Sequence, residues 1–184
     1  MLLRIALQIF GLLVLLLGAT LITLKLKLKL KHQNADGPSI LFPGGQLVSG
    51  ELYAGPEPDR TFTDDVFTIE LQTDQPMSSR RIFVMESGGK VYVPSGYMRS
   101  FLGNLWKDWA FNVDAGSSQA VARIDGVRYE RELVRVMEPM IVEGVAKKLA
   151  QKYAGGASEE AVAQIVTMVA DGDTWIFKMA PRSN

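Results

Sequence analysis

The chain has 184 residues, 47% of them hydrophobic, with 20 basic side chains against 20 acidic ones and no cysteine. Balanced charge excludes the global positive field of a nucleic-acid binder. The lack of cysteine removes structural disulfides, thiolate nucleophiles and cysteine-ligated metals together. The single histidine, His32, leaves any metal site almost wholly to carboxylates, so no metal centre is expected.

Residues 5–24 read IALQIFGLLVLLLGATLITL, without one charge. About twenty apolar residues are what a helix needs to cross ~30 Å of hydrocarbon at 1.5 Å per residue. The apolar core exceeds that of a cleaved signal peptide, and a lysine run follows in place of a polar exit, so the stretch reads as an uncleaved single-pass anchor. Lys25, Lys27, Lys29 and Lys31 outnumber Arg4 on the other flank. In a bacterial-type cytoplasmic membrane that bias favours a domain facing the cytoplasm, although a single N-terminal arginine on a short leader also suits the opposite, domain-out arrangement. The KLKLKLK run has period two, so as an extended segment it sets lysines on one face and leucines on the other. It serves either as a snorkelling stop to the span or as a strip binding anionic lipid. The organisation expected is an anchor over 1–24, a basic juncture and linker over 25–44, and one domain over 45–184. Membrane lipid is the expected partner of residues 1–31.

Beyond the linker the period is mostly two. Residues 67–72 alternate as a strand with one wet face does. Residues 81–86, a Ser87-Gly88-Gly89 turn and residues 90–93 make a hairpin. Residues 119–124 and 127–136 make another around Asp125-Gly126, whose residues tolerate the positive φ of a tight turn. Arg123, Arg128, Arg131 and Arg135, alternating with Glu130 and Glu132, read as cross-strand ion pairing on a wet face. The period then changes. Pro139 opens a helix with an apolar stripe through Val142, Val145 and Leu149, and Ser158 with Glu159 and Glu160 opens a second. Residues 174–179 close the chain as a strand. The fold class expected is mainly β, an antiparallel barrel with two helices inserted before the last strand.

No catalytic relay is present: without a barrel histidine or any cysteine neither a Ser-His-Asp nor a Cys-His triad can form. Asp64-Asp65 and Glu159-Glu160 are adjacent pairs that face apart, and Ser87-Gly88-Gly89-Lys90 is too short to cradle phosphate. Trp106 and Trp109 are three apart and neighbour each other on a helical face, for core packing or as a ring-stacking platform.

The stretches Tyr92-Val93-Pro94-Ser95-Gly96-Tyr97, Asn104-Leu105-Trp106-Lys107-Asp108-Trp109 and the 121–130 hairpin, with the closing TWIFKMAP, resemble the split β-barrel superfamily. Its members include pyridoxamine 5'-phosphate oxidase-like flavoproteins and deazaflavin-dependent nitroreductases. The resemblance covers residues 65–181 as a pattern of elements. It implies a homodimer with FMN or F420 across a barrel face and hydride transfer to a quinone-like or other small acceptor. Carried over by position, Arg81, Ser95, Gly96, Arg99 and Lys107 are the expected phosphate contacts, with Arg80 opening the same strand as Arg81. Tyr97 and Trp106 would flank the ring. Arginine offers a planar fork, lysine a point charge and serine a hydroxyl. Residues 73–79 carry no basic residue where deazaflavin-dependent members have a basic loop, which removes one phosphate anchor. A cofactor-free barrel that binds a lipid or protein partner is the alternative.

Overall fold

The computed structural model describes residues 2–33, 35–39, 42–59, 61–101 and 107–182. Helix α1 (Leu2–Gln33) contains an 18-residue window, Leu7–Leu24, of mean hydropathy 2.4 with no residue buried, long and apolar enough to cross a bilayer. The helix continues through the lysine run, which corrects the extended reading of that segment. Lysine and leucine are both good helix formers, and an existing helix propagates without a new nucleation cost.

The domain is a seven-stranded antiparallel sheet. Its strands are β1 (Thr68–Asp74), β2 (Met77–Phe83), β3 (Met85–Ser87), β4 (Lys90–Ser95), β5 (Gln119–Ile124), β6 (Val127–Val136) and β7 (Trp175–Pro181). They lie side by side in the order β2-β1-β5-β6-β7-β4-β3. The two edges, β2 and β3, are separated along the chain by Val84 alone, so the sheet curls until its edges meet: a half-barrel. Where residues 81–86 read as one strand, the structure breaks them at Val84, giving β2 to one edge and β3 to the other.

That break is pinned from outside. The Tyr153 hydroxyl accepts from the Val84 amide (3.0 Å) and lies 2.8 Å from the carbonyl oxygens of Phe67 and Val84. Lys152 donates to the carbonyls of Thr63 (2.6 Å) and Val84 (2.9 Å). Partial burial depresses the Lys152 ammonium and pushes the Tyr153 phenol up.

Inside the curl, Leu71, Val93, Ala122, Leu133 and Phe177 pack against Trp109, Ala110 and Val113 of the short helix α2 (Asp108–Asp114), which plugs the barrel. On the outer face of β3, β4 and β7, Met85, Tyr92 and Ile176 meet Val142 and Val145 of α3 (Pro139–Tyr153). Helix α4 (Glu159–Ala170) packs on α3 through Ala146, Ala150 and Val162. The 119–136 hairpin begins and ends at the residues its pattern marks, with Asp125 (φ 48°) and Gly126 (φ 81°) both left-handed. Pro139 opens α3, and the Ser158 hydroxyl caps α4 by accepting from the Ala161 amide at 3.2 Å.

Candidate functional site

Strand register decides which basic residues enter the barrel. Arg80 stands opposite Leu71, whose side chain is in the interior, so Arg80 points inward while Arg81 points out. On β6, Arg131 and Arg135 fall in phase with the inward-facing Leu133. This corrects the reading of Arg131 and Arg135 as members of a wet face. Arg123 and Arg128 do lie on the outer face, where Arg123 stands opposite Glu70 across the strands and donates to it at 2.6 Å.

Each inward arginine rests on an aromatic ring: Arg80 on Trp109 (5.0 Å to the centroid), Arg131 on Tyr129 (5.3 Å) and Arg135 on Trp175 (3.8 Å). They differ in compensation. Arg131 pairs with Glu57 at 3.1 Å and Arg135 with Asp114 at 3.0 Å. Arg80 forms no ion pair with a described residue. It donates to neutral oxygens only, Thr73 Oγ1 (3.2 Å), the Ser78 carbonyl (3.3 Å) and the Ser78 hydroxyl, and its buried Nε has no acceptor. Desolvation lowers the guanidinium to about 9, against a partial lift from the charge of Asp108. Lys107, half-buried at the start of α2, is also depressed, first by burial and then by the Arg80 charge. Two half-buried cations that feel each other's charge, with no ion-paired carboxylate among the described residues, form an arrangement that an anion would balance.

The remaining sequence-derived candidates gather elsewhere. Ser95 is fully buried at the end of β4 and donates to Met98 Sδ at 3.1 Å. Gly96 follows it, and an added Cβ there would meet only the Thr174 hydroxyl at 3.8 Å, so close approach does not demand glycine. Tyr97 (φ 59°) is left-handed and 70% exposed. Arg99 is exposed and donates to the Asp171 carbonyl at 3.2 Å. The loop is thus tied to the turn before β7, where the Met98 amide also donates to the Asp173 carbonyl at 2.8 Å. Arg81 lies on the outer face, its side chain half exposed, with Glu70 3.9 Å away. Trp106 lies outside the described residues. Lys107 is therefore joined by Arg80 and not by Arg81. No sequence signal marks this, because the register that sets Arg80 opposite Leu71 belongs to the folded sheet.

Two surface cavities are present among the described residues. One, of about 160 Å³, lies on the outer face between Glu70, Arg81, Arg123 and Asp125. The other, of about 280 Å³, lies between Tyr53, Glu57, Tyr129, Arg131 and Arg182. Both fall below the roughly 300–1,000 Å³ of ordinary small-molecule sites. No group of three or more metal-ligating side chains occurs among the described residues.

No protein-family profile matches the chain, and no curated protein matches it. Solved structures do. The crystal structure of the conserved hypothetical protein Rv2991 from Mycobacterium tuberculosis superposes with a TM-score of 0.52 at 16% identity, over 66% of this chain and 77% of that one. The two share a fold. A putative pyridoxamine 5'-phosphate oxidase from Listeria innocua is a looser likeness, with TM-score 0.43 and 14% identity over 65% of this chain and 87% of that one. The curled antiparallel half-barrel is thus shared with a solved protein, at an identity where likeness speaks of fold alone.

Proposed function

We propose that this chain is a single-pass membrane protein whose barrel binds a phosphate-bearing redox cofactor of the FMN or F420 class and works as an oxidoreductase on a small, quinone-like acceptor. The observation that supports this reading is the Arg80–Lys107 pair, two inward cations with no ion-paired acid among the described residues and with the Arg80 Nε unbonded. The phosphate end of such a cofactor fits these residues. Arg80 offers a free Nε donor, Lys107 a point charge, and Thr73 and Ser78 hold the guanidinium in place. When bound, the cofactor supplies hydride-transfer chemistry, and the protein binds and orients it. The absence of a catalytic relay agrees with that division of labour. Arg81 faces the other side of the sheet, and Ser95 and Arg99 gather at the turn before β7, so in this proposal Arg80 and Lys107 hold the phosphate.

Neither of the two cavities described lies against Arg80 or Lys107, so in this proposal the ring end takes a wall from outside them. A second copy would supply it, which makes a homodimer part of the proposal. The same observation favours the second reading, a cofactor-free anchored barrel whose work is to bind a lipid or protein partner. Comparing FMN with riboflavin separates the two, because these ligands differ only in the phosphate. A ligand at about 100 times its Kd adds ~2.7 kcal/mol of stability. The proposal expects that gain from FMN and not from riboflavin in the wild type, or from F420 if the deazaflavin is the ligand, with loss of the gain in Arg80→Gln. No gain from either cofactor would leave the second reading.

A further inference from the structure

We infer that residues 35–39 and 42–49, between the apolar helix and the barrel, form a rigid seat and not a free tether, so that the barrel stands at one height and in one orientation on the bilayer. The mention of a bilayer rests on the anchor reading above; the rigidity rests on contacts within the chain. Helix α1 ends at Gln33, and by Asp36 the chain is already bound to the sheet. The Asp36 carboxylate accepts from the amides of Val48 (2.8 Å) and Ser49 (3.2 Å) and from Arg123 Nη1 (2.8 Å). Arg123 is fixed in turn by Glu70 (2.6 Å) and the Ser49 hydroxyl (2.7 Å). One carboxylate therefore closes the segment into a loop and clamps the loop to β5.

The other side of the loop is fixed to β1 and β2. Gly44 and Ser79 exchange both backbone hydrogen bonds (2.8 and 2.9 Å), the Ser79 hydroxyl donates to the Gly45 carbonyl (2.6 Å), and the Leu47 amide donates to Gln72 Oε1 (2.8 Å). Leu47 itself is buried against the sheet. The glycines show how close the backbones come. A Cβ on Gly44 would lie 1.8 Å from the Gly37 carbonyl oxygen, and one on Gly45 would lie 2.0 Å from the Gln33 carbonyl oxygen. Both obstacles are backbone atoms, which no rotamer change can clear, and the second belongs to the end of α1 itself. The exit of the helix is thus packed directly on the seat.

From Leu24 to Gln33 the helix rises about 13 Å at 1.5 Å per residue. That exceeds the roughly 5–8 Å of headgroup layer on each side of a bilayer. The seat therefore holds the barrel just above the headgroups. Strand β2 carries both Ser79, which grips the seat, and Arg80, which enters the barrel, so the Arg80–Lys107 pair shares that fixed station.

The chain has no cysteine, so spin labels can be placed cleanly at Lys27→Cys and Lys90→Cys, both exposed positions. Double electron–electron resonance on the full chain, in phosphatidylcholine nanodiscs and again in detergent micelles, should give one narrow distance. Gly45→Val and Asp36→Ala should each broaden it, because a freed coil of residues 34–49 has a root-mean-square span on the order of 20 Å. A broad distribution in the wild-type background overturns the inference, and so does a narrow one that both variants leave unchanged. Flotation with phosphatidylcholine vesicles tests the anchor reading separately. A chain that fails to float but keeps its narrow distance in micelles loses the membrane and retains the seat.

Discussion

Replacing Arg80 with methionine should stabilise the ligand-free protein, against the usual expectation for a partly buried, hydrogen-bonded side chain. Desolvation brings the guanidinium from its ordinary value down to about 9. At ~1.4 kcal/mol per pH unit, holding the charge costs at most ~5 kcal/mol. Its hydrogen bonds to Thr73 and Ser78 return roughly 1–3 kcal/mol, and its place over Trp109 about 1 kcal/mol. The difference leaves at most ~1–3 kcal/mol in favour of an uncharged side chain of similar bulk. For a domain of this size that is roughly 2–12 °C in Tm. Urea unfolding followed by tryptophan fluorescence, with and without inorganic phosphate, measures both halves of the argument. Arg80→Met should raise the midpoint without phosphate, and phosphate should raise the wild-type midpoint alone. A variant that loses more than ~2 kcal/mol, beside a wild type indifferent to phosphate, would show that Arg80 is a structural residue and refute the reasoning.

Tyr153→Phe removes the hydroxyl that serves Val84 and Phe67 at the junction of the two sheet edges. Its urea midpoint should fall by the equivalent of ~1–3 kcal/mol. Phe177→Ala, at the fully buried centre of the barrel, should cost ~3–5 kcal/mol in the same assay. For Asp36, burial opposes ionisation, but hydrogen bonds from Ser49, Val48 and Arg123 outweigh it and hold the carboxyl at about 2. A depressed acid stabilises the fold above its unfolded value and loses that contribution as pH falls through the folded one. The loss should therefore run from about pH 4 down to about pH 2, and solvent exposure trims it to ~1 kcal/mol. Asp36→Asn should flatten that part of the pH–stability curve; an unchanged slope there would remove Asp36 from the seat.

Local chemistry made some of this fold readable and tertiary context hid the rest. Asp125-Gly126, Pro139 and Ser158 each act within a few residues of themselves, through turn φ, a missing amide and a cap, so their elements begin and end where the sequence marks them. The lysine run has a period of two that a helix also accommodates, and the helix before it decided the outcome. Residues 77–83 show no apolar alternation because Ser79 faces the seat and Arg80 the interior. The hairpin through residue 76 was accordingly invisible, and with it the inward aim of Arg80. Lys107 was legible as a cation beside the plug helix. Its partnership with Arg80 depends on a register that joins Arg80 to Leu71, which only the folded sheet displays. Arg131 and Arg135 were misread for the same reason, since alternating charge on a strand cannot by itself say which face is wet.

The decisive measurement is the visible and near-ultraviolet absorption spectrum of the full chain purified from its native host, beside Arg80→Gln and Lys107→Ala. A flavin or deazaflavin band in near-stoichiometric amount in the wild type, lost or much reduced in both variants, is the predicted result. A featureless wild-type spectrum that stays featureless after incubation with FMN and F420 would contradict a cofactor role for the Arg80–Lys107 pair.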